Sequence, residues 1–512
     1  MKIAVVGGGH NGLVAAAMLA RGGHEVEVLE AAEVAGGAAR TERPFAKAPN
    51  LGTSTGAYLL GLMPPELMAE LGVELEVELL RRDPHYFLPT TGEGYLLFGS
   101  DRASTRRQYE AFFSASDWEA DQRMQTELAA LREDLAPAWL AEPLSVEETA
   151  ERYIRRDLRE VFVGLCTGPV GEYIERFGFA SELVKAMYAV TDAYSGSTGG
   201  WSTPGSGMNF LVHNMCRLPG GDGTWMIAKG GMGAVASALR GAAERAGARV
   251  TTSARVEAIE APEGRKRLVR LAGGEEREVD VVVCGCDPYT MRDLVGREAL
   301  GAELNAKLDE AWRPGCTLKV NLALDGLPTF TCLPEDRGQF GTTTHLLPQG
   351  EGVLARVEAA RQDALSGRLA DFPTIEWYIH TTVDPSLKDE HGHHNSALFV
   401  QWAPYEVAGS SWEDELDGYV DHLLGICDTF APDTSSRVVD VMALTPKGIE
   451  EHFGIQGGHI HHIDNLYGFD QRAPYATGVE GLYCCSAACH PAGSVIGAAG
   501  HNAAVRVLAD LG

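Results

Sequence analysis

Nowhere does the chain run for about twenty residues on apolar side chains alone, so no segment reads as a membrane-crossing helix. The first strand-like run begins at residue 2 or 3, which leaves no room for a secretory leader. Positive charge is scarce. Lys and Arg number 43 against 71 Asp and Glu, a formal net charge of -28. That excess argues against a nucleic-acid partner and repels anionic lipid, leaving at most peripheral membrane contact. The ten cysteines show no zinc-ribbon spacing. Cys284 and Cys286 share a strand face without an easy bridge, and Cys484 and Cys485 are adjacent. Free, mostly buried thiols in a reducing cytoplasm fit this usage. No paired acid/base motif stands out either. At 512 residues the chain is long for one core, and two domains are expected.

What the sequence does have is concentrated in its first thirty residues. KIAVVGGGHNG passes from a short apolar run, Ile3 to Val6, into a glycine turn. Gly7, Gly9 and Gly12 satisfy G-x-G-x-x-G, with Asn11 inside the turn, and the helix-forming LVAAAMLARGG follows. A second strand, EVEVLE, ends on Glu30. The first glycine permits a tight turn, the second lets backbone approach a pyrophosphate, and the third lets helix pack on strand. The helix N-terminus offers unpaired N–H groups to phosphate. Glu30 can accept hydrogen bonds from ribose hydroxyls, which favours FAD or NAD over NADP. Gly36 and Gly37 then open a G-G-x-x-x-[ST] pattern that closes on Thr41. This second glycine pair lets backbone pass beside the same cofactor, and moves the balance to FAD. Arg40 is the nearest cation, a partner for pyrophosphate or substrate.

Along the rest of the chain, Gly52 and Thr53 form a small polar turn, read as a further cofactor contact. Tyr86–Leu88 and Tyr95–Phe98 read as strands joined by TTGEG, and residues 102 to about 195 as helices, including Trp118–Leu131 and Val146–Phe162. Gly230, Gly231 and Gly233 turn into a second helical run, and Val256 reaches the adenine side of the cofactor. Val279–Cys284 is a buried apolar strand, and residues 261–276 read as a hairpin beneath it. LKVNLAL, IEWYIHTT and ALFVQWAPY read as strands, and residues 412–430 as an amphipathic helix. The HGHH run at His391–His394 is a solvated loop. HIHH at 459–462 alternates like a strand, with His459 and His461 on one face, so His461 is a substrate-cavity candidate. No metal site is expected. Gly481–Cys485 would rejoin the N-terminal sheet. A turn through Ser486 and His490 then leads to a terminal helix beginning near Val495, Ile496 and Gly497.

VGGGHNGL with Glu30, GGAA at 36–39, GGMG at 230–233, VDVVVCGCDP and HPAGSVIGAAGHNAA together resemble a phytoene desaturase-type FAD oxidoreductase. FGIQGGHIHH, RAPY and GLYCC add likeness to the branch of pyridine nucleotide-disulfide oxidoreductase domain-containing proteins. The resemblance implies an α/β fold in which a Rossmann-like, glutathione reductase-like FAD domain is interleaved with an α+β substrate domain. The FAD domain would take residues 1–75, 215–290 and 445–512, and the substrate domain 76–214 and 291–444. Where the family carries an arginine after its glycine pair, this chain has Ala38. Its terminal turn has Ser486, Ala487 and Ala488 where the family is glycine-rich, which reshapes the wall above the flavin and weighs against a carotenoid.

The resulting expectation is an FAD-dependent oxidoreductase that removes hydride from a hydrophobic small molecule in an elongated, mainly apolar pocket. The pocket would be bounded by residues 459–475 and 486–495. His490 is the leading catalytic candidate, with Tyr475 and His461 behind it. A redox-neutral isomerase or hydratase and a flavin-bearing scaffold are the alternatives, and an oligomer is compatible with all three.

Overall fold

In the computed structural model, which describes residues 1–261 and 266–512, strand β1 (Lys2–Val6) sits in the middle of a five-stranded parallel sheet. On one side lie β2 (Glu25–Leu29) and then β3 (Arg249–Thr251). On the other lie β4 (Val281–Cys284) and then β5 (Leu482–Cys484). Strands of this kind are covered on both faces and read as unbroken apolar runs. Every residue of β4 and β5 is buried, as are Ile3 to Val6 of β1.

Helix α1 (His10–Arg21) returns from β1 and packs between α2 (Met232–Arg245) and the C-terminal helix α3 (Ala498–Leu511). Ala15, Ala16 and Ala17 are fully buried there. A Cβ on Gly500 would overlap the Asn11 carbonyl, so α3 crosses α1 with backbone against backbone. The two ends of the chain thus meet beside the first glycine turn.

A second, seven-stranded sheet carries the other half of the molecule. Its order is Val438–Leu444, Thr317–Leu324, His394–Gln401, Thr374–Tyr378, Thr343–Leu346, Tyr86–Pro89 and Tyr95–Phe98. All neighbours are antiparallel except Thr343–Leu346 with Tyr86–Pro89. Side chains alternate between its faces. Leu318, Val320, Leu322, Ile375, Trp377, Leu398 and Val400 form one core with helix Trp412–Phe430. The intervening residues, Lys319, Glu376 and Phe399 among them, face the other way, toward the parallel sheet.

Several elements differ from the sequence reading. Residues 459–462 form a turn, closed by His462 N–H donating to the His459 carbonyl at 2.8 Å, because Gly457 and Gly458 take positive φ just before it. The helical stretch from Val146 breaks after Tyr153 and resumes at Arg159–Thr167. The strand containing IEWY ends at Tyr378. Val279 closes strand Glu276–Val279, and β4 begins two residues later. That strand pairs antiparallel with Arg267–Leu271, which pairs with Val256–Glu260. Residues 262–265 of the expected hairpin lie outside the described residues. Among the described residues no helix is long and apolar enough to cross a membrane, and no group of His, Cys, Asp or Glu is placed to hold a metal.

Candidate functional site

A single cavity of about 430 Å³ runs from the glycine turn after β1 to the inner face of the seven-stranded sheet. The turn is shaped by contacts that glycine alone permits. Gly7 takes φ 97°, and a Cβ there would press to 3.2 Å from the Cys286 nitrogen. A Cβ on Gly12 would overlap the Gly7 carbonyl. The two residues fasten β1, α1 and the chain beyond β4 together, with Gly7 lining the cavity and Gly12 behind it. Gly9 is different. A Cβ there would meet no protein atom within 4 Å and would project into the cavity.

The second glycine pair lies directly against the first turn. Gly36 N–H donates to the Gly8 carbonyl at 2.8 Å, and a Cβ on Gly37 would come within 3.2 Å of Gly9 Cα. Glu30 lines the same space, its carboxylate oriented by Gly8 N–H at 2.7 Å and Ala32 N–H at 2.8 Å. Two such bonds leave acceptor capacity for ribose hydroxyls. His10 Nε2, Asn11 Oδ1 and Arg40 Nε are buried beside the cavity without a partner. Buried polar atoms are nearly always paired. A phosphate- and hydroxyl-rich dinucleotide supplies what these three lack, and the open side of Gly9 gives it room. FAD fits this end of the cavity.

Of the remaining cofactor candidates, Val256 and Val495 line the cavity. The others do not. Gly36 lies behind Gly37. Thr41 ties the glycine pair to α2, its hydroxyl donating to the Gly230 carbonyl and accepting from Gly233 N–H, both at 2.9 Å. Gly52 and Thr53 belong to the joint with the other sheet, where Gly52 N–H donates to the Leu387 carbonyl at 2.9 Å and Thr53 pairs with Glu42. Ser486 caps its own turn by accepting from Ala488 N–H at 3.1 Å. Ile496 is packed in a hydrophobic core, and Gly497 precedes α3 with φ 79°.

The structure places His490 and Tyr475 away from the cavity lining. His490 Nε2 bonds the Ala138 carbonyl at 2.9 Å, and its ring lies against Phe469, outside the cavity. Burial pushes its pKa down to about 4. Tyr475 donates to the His490 carbonyl at 2.8 Å and accepts from Asn502 at 2.9 Å. These groups join the terminal turn to α3 and the helical region. His461 does line the cavity, with Nδ1 unpartnered, and burial together with His459 and His213 holds it well below the ordinary histidine range. Ile460 and His462 line it too, which a strand would not allow.

Sequence reasoning missed the inner end. There the mainly apolar lining carries a group of ionisable side chains. Lys319, Phe399, Glu376 and His345 form one cross-strand row: Lys319 pairs with Phe399, Phe399 with Glu376, and Glu376 with His345. Lys319 Nζ lies 4.1 Å from the Tyr58 ring centre and 4.4 Å from that of Phe399. It has no ion-pair partner among the described residues, and burial pushes its pKa down to about 7. Burial alone would raise the Glu376 carboxyl, but His345 Nε2 at 3.7 Å and the Tyr378 hydroxyl at 2.6 Å outweigh it and hold the group below the usual carboxylate range.

Asp192 faces the cavity from a π-helical turn, Ala189–Tyr194, a departure from α geometry often found at functional sites. Its carboxyl accepts from Asn214 at 3.1 Å, and burial pushes its pKa up to about 7. The Tyr58 hydroxyl is buried without a partner. The arrangement therefore places an amine and a carboxyl, both poised near neutrality, beside a cofactor cradle.

Comparison with known proteins places the chain among flavoproteins. The family model for flavin containing amine oxidoreductases matches residues 12–326. Pyridine nucleotide-disulfide oxidoreductase domain-containing protein 2 of Rattus norvegicus is 32% identical over 548 residues, covering 99% of this chain and 93% of the relative. A zeta-carotene-forming phytoene desaturase of Myxococcus xanthus is 29% identical over 333 residues, covering 60% of this chain and 57% of the relative. Among solved structures, an oxidoreductase from Methanosarcina mazei matches with a TM-score of 0.63 at 18% identity, covering 99% of this chain and 100% of the other. A putrescine oxidase variant matches at 0.61 and 15%, covering 100% and 98%. At these identities the two structures share the fold.

Proposed function

The chain belongs to the flavin-containing amine oxidoreductase family, and on that premise we propose that it dehydrogenates a small polar molecule at a carbon bearing a hydroxyl or amino group. It is an FAD-dependent oxidoreductase. The observation that carries the substrate reading is one unbroken cavity joining Gly9 to the Lys319–Glu376 row. An open path between the two ends favours an enzyme over a scaffold. The ionisable inner wall favours a polar substrate over the hydrophobic one expected from resemblance.

FAD, when bound, supplies the hydride acceptor. Gly9, Gly37, Arg40 and the first turn of α1 would hold its phosphates, Glu30 its ribose, and Val256 the adenosine end. Neutral Lys319 takes the proton released by the substrate's hydroxyl or ammonium group. Asp192 and Glu376 bind and orient the polar substituent, and Tyr378 steadies Glu376. Tyr58 and Phe399 exclude water around the lysine nitrogen. Placing the donor carbon in a fixed approach geometry is the remaining task of the walls.

The strand membership of the parallel sheet supports assigning residues 1–75, 215–290 and 445–512 to the FAD domain, and 76–214 and 291–444 to the substrate domain. Ten free cysteines support a cytoplasmic location. The test is an anaerobic titration of the yellow holoenzyme with primary amines, amino acids, alcohols and a long isoprenoid hydrocarbon. Bleaching of the flavin band by a polar compound is expected. Bleaching by the hydrocarbon alone would refute the reading.

A further inference from the structure

Two structural facts set Lys319 apart from the other lysines: its side chain lines an accessible cavity, and its Nζ lies between two aromatic faces. In addition, no carboxylate reaches it at ion-pair distance among the described residues. The ring faces favour the ammonium form, but only in part replace the water that burial removes. Titratable groups lining the same cavity include Glu376, Asp192, Tyr58, Tyr378, His345, His213 and His461, and His380 lies behind Tyr58 and Tyr378. Glu376 is already engaged by Tyr378 and His345. Asp192 has one donor, Asn214, and is the carboxyl free to give a proton.

We propose that Lys319 is a carbonyl-capture site, whose Nζ condenses with an aldehyde or ketone in the cavity to a covalent imine. A neutral amine enclosed by apolar rings is the form that attacks carbonyl carbon. Nζ forms a bond to that carbon and the carbonyl oxygen takes up a proton, giving a carbinolamine. A proton from the Asp192 carboxyl then lets the oxygen leave as water, the carbon–oxygen bond breaks, and the carbon–nitrogen double bond closes. Nζ gives up its hydrogens in the process, one of them restoring Asp192. No electrons are gained or lost, and no further reagent is consumed. Burial of Lys319 and Asp192, which brings both groups near neutrality, supplies free amine and carboxylic acid together at pH 7.

The inference stands apart from the dehydrogenation reading, since capture needs Lys319, Asp192 and the cavity but no hydride transfer. The FAD-loaded protein is incubated at pH 7 with benzaldehyde or butanal and sodium cyanoborohydride, which fixes imines as secondary amines, and peptides are mapped by mass. Lys319 is expected to be labelled roughly tenfold or more faster than exposed Lys47, because an ordinary lysine holds almost no free amine at that pH. Lys319→Arg should remove that adduct while the flavin spectrum persists. Asp192→Asn should slow labelling at Lys319 and leave Lys47 unchanged. Labelling of Lys319 no faster than Lys47 in FAD-replete protein would overturn the proposal. An unchanged rate in Asp192→Asn would overturn the acid role of Asp192.

Discussion

Lys319 and Glu376 stand on the same face of one sheet, in register, with Phe399 between them on the intervening strand. Two strand spacings separate their backbones, roughly 10 Å, so the side chains share a cavity wall without closing an ion pair. That separation matters. A closed pair would hold Lys319 protonated, whereas the ring of Phe399 keeps the amine apart and desolvated. Glu376 meanwhile accepts from the Tyr378 hydroxyl at 2.6 Å and has His345 Nε2 at 3.7 Å, which leaves Lys319 without a carboxylate partner.

The contrast between Gly9 and Gly12 gives a pair of variants with different outcomes. A Cβ at Gly9 meets no protein atom within 4 Å and enters the cradle, so Gly9→Val is expected to give a folded, colourless protein with little change in melting temperature. Gly12→Val drives a side chain into the Gly7 carbonyl, so loss of folded protein is expected. Thermal melts and flavin released on denaturation distinguish them. A yellow Gly9→Val protein would contradict the placement of the pyrophosphate.

His490→Ala should destabilise rather than slow chemistry. The imidazole's bond to Ala138 and its packing against Phe469 are lost, at a cost of about 1–3 kcal/mol for the unsatisfied buried partner. Turnover per bound flavin should stay close to that of the parent. A large fall in kcat with stability preserved would restore His490 to the chemistry.

The contrast between these predictions and those from sequence has physical causes. The glycine turn, Glu30 and the second glycine pair were legible because each acts through local backbone geometry within a short stretch. The inner wall depends instead on strands distant in sequence coming into register. A signal was present: Lys319 and Asn321 alternate with Leu318, Val320 and Leu322, and Glu376 with Ile375 and Trp377. Polar residues at period two mark a face that is not core, but only the sheet order shows which polar residues meet. His490 lies in the expected turn, and its ring direction is set by Ala138, far away in the chain. The HIHH segment alternates like a strand, yet the glycines before it impose a turn.

Asp464 should be a stability residue of this region. Its buried carboxylate accepts from Ser197 Oγ and Thr198 N–H at 2.8 Å and from Thr198 Oγ1 at 2.7 Å, and it lies 3.5 Å from His459 Nε2. Burial alone would raise its pKa, but these partners hold it well below the ordinary carboxylate range. A depressed native pKa stabilises the fold above the ordinary carboxylate value, and that contribution is lost as pH falls through the depressed one. Asp464→Ala is expected to cost about 3–5 kcal/mol and to flatten the acid limb of a melting-temperature profile. An unchanged acid limb would contradict this.

The most direct measurement of the account is the rate of anaerobic flavin reduction by a bleaching substrate, followed by stopped flow in the parent and in Lys319→Met between pH 5.5 and about 8.5, a window that spans the region where a buried amine of this kind titrates. The base form of Lys319 grows as pH rises through about 7, so the parent's rate should climb through that value and level off above it. Lys319→Met should retain FAD, react roughly a hundredfold or more slowly, and lose that rise. Equal rates with the same pH profile in both proteins would contradict the claim that Lys319 faces the reacting group across the cavity from the cofactor.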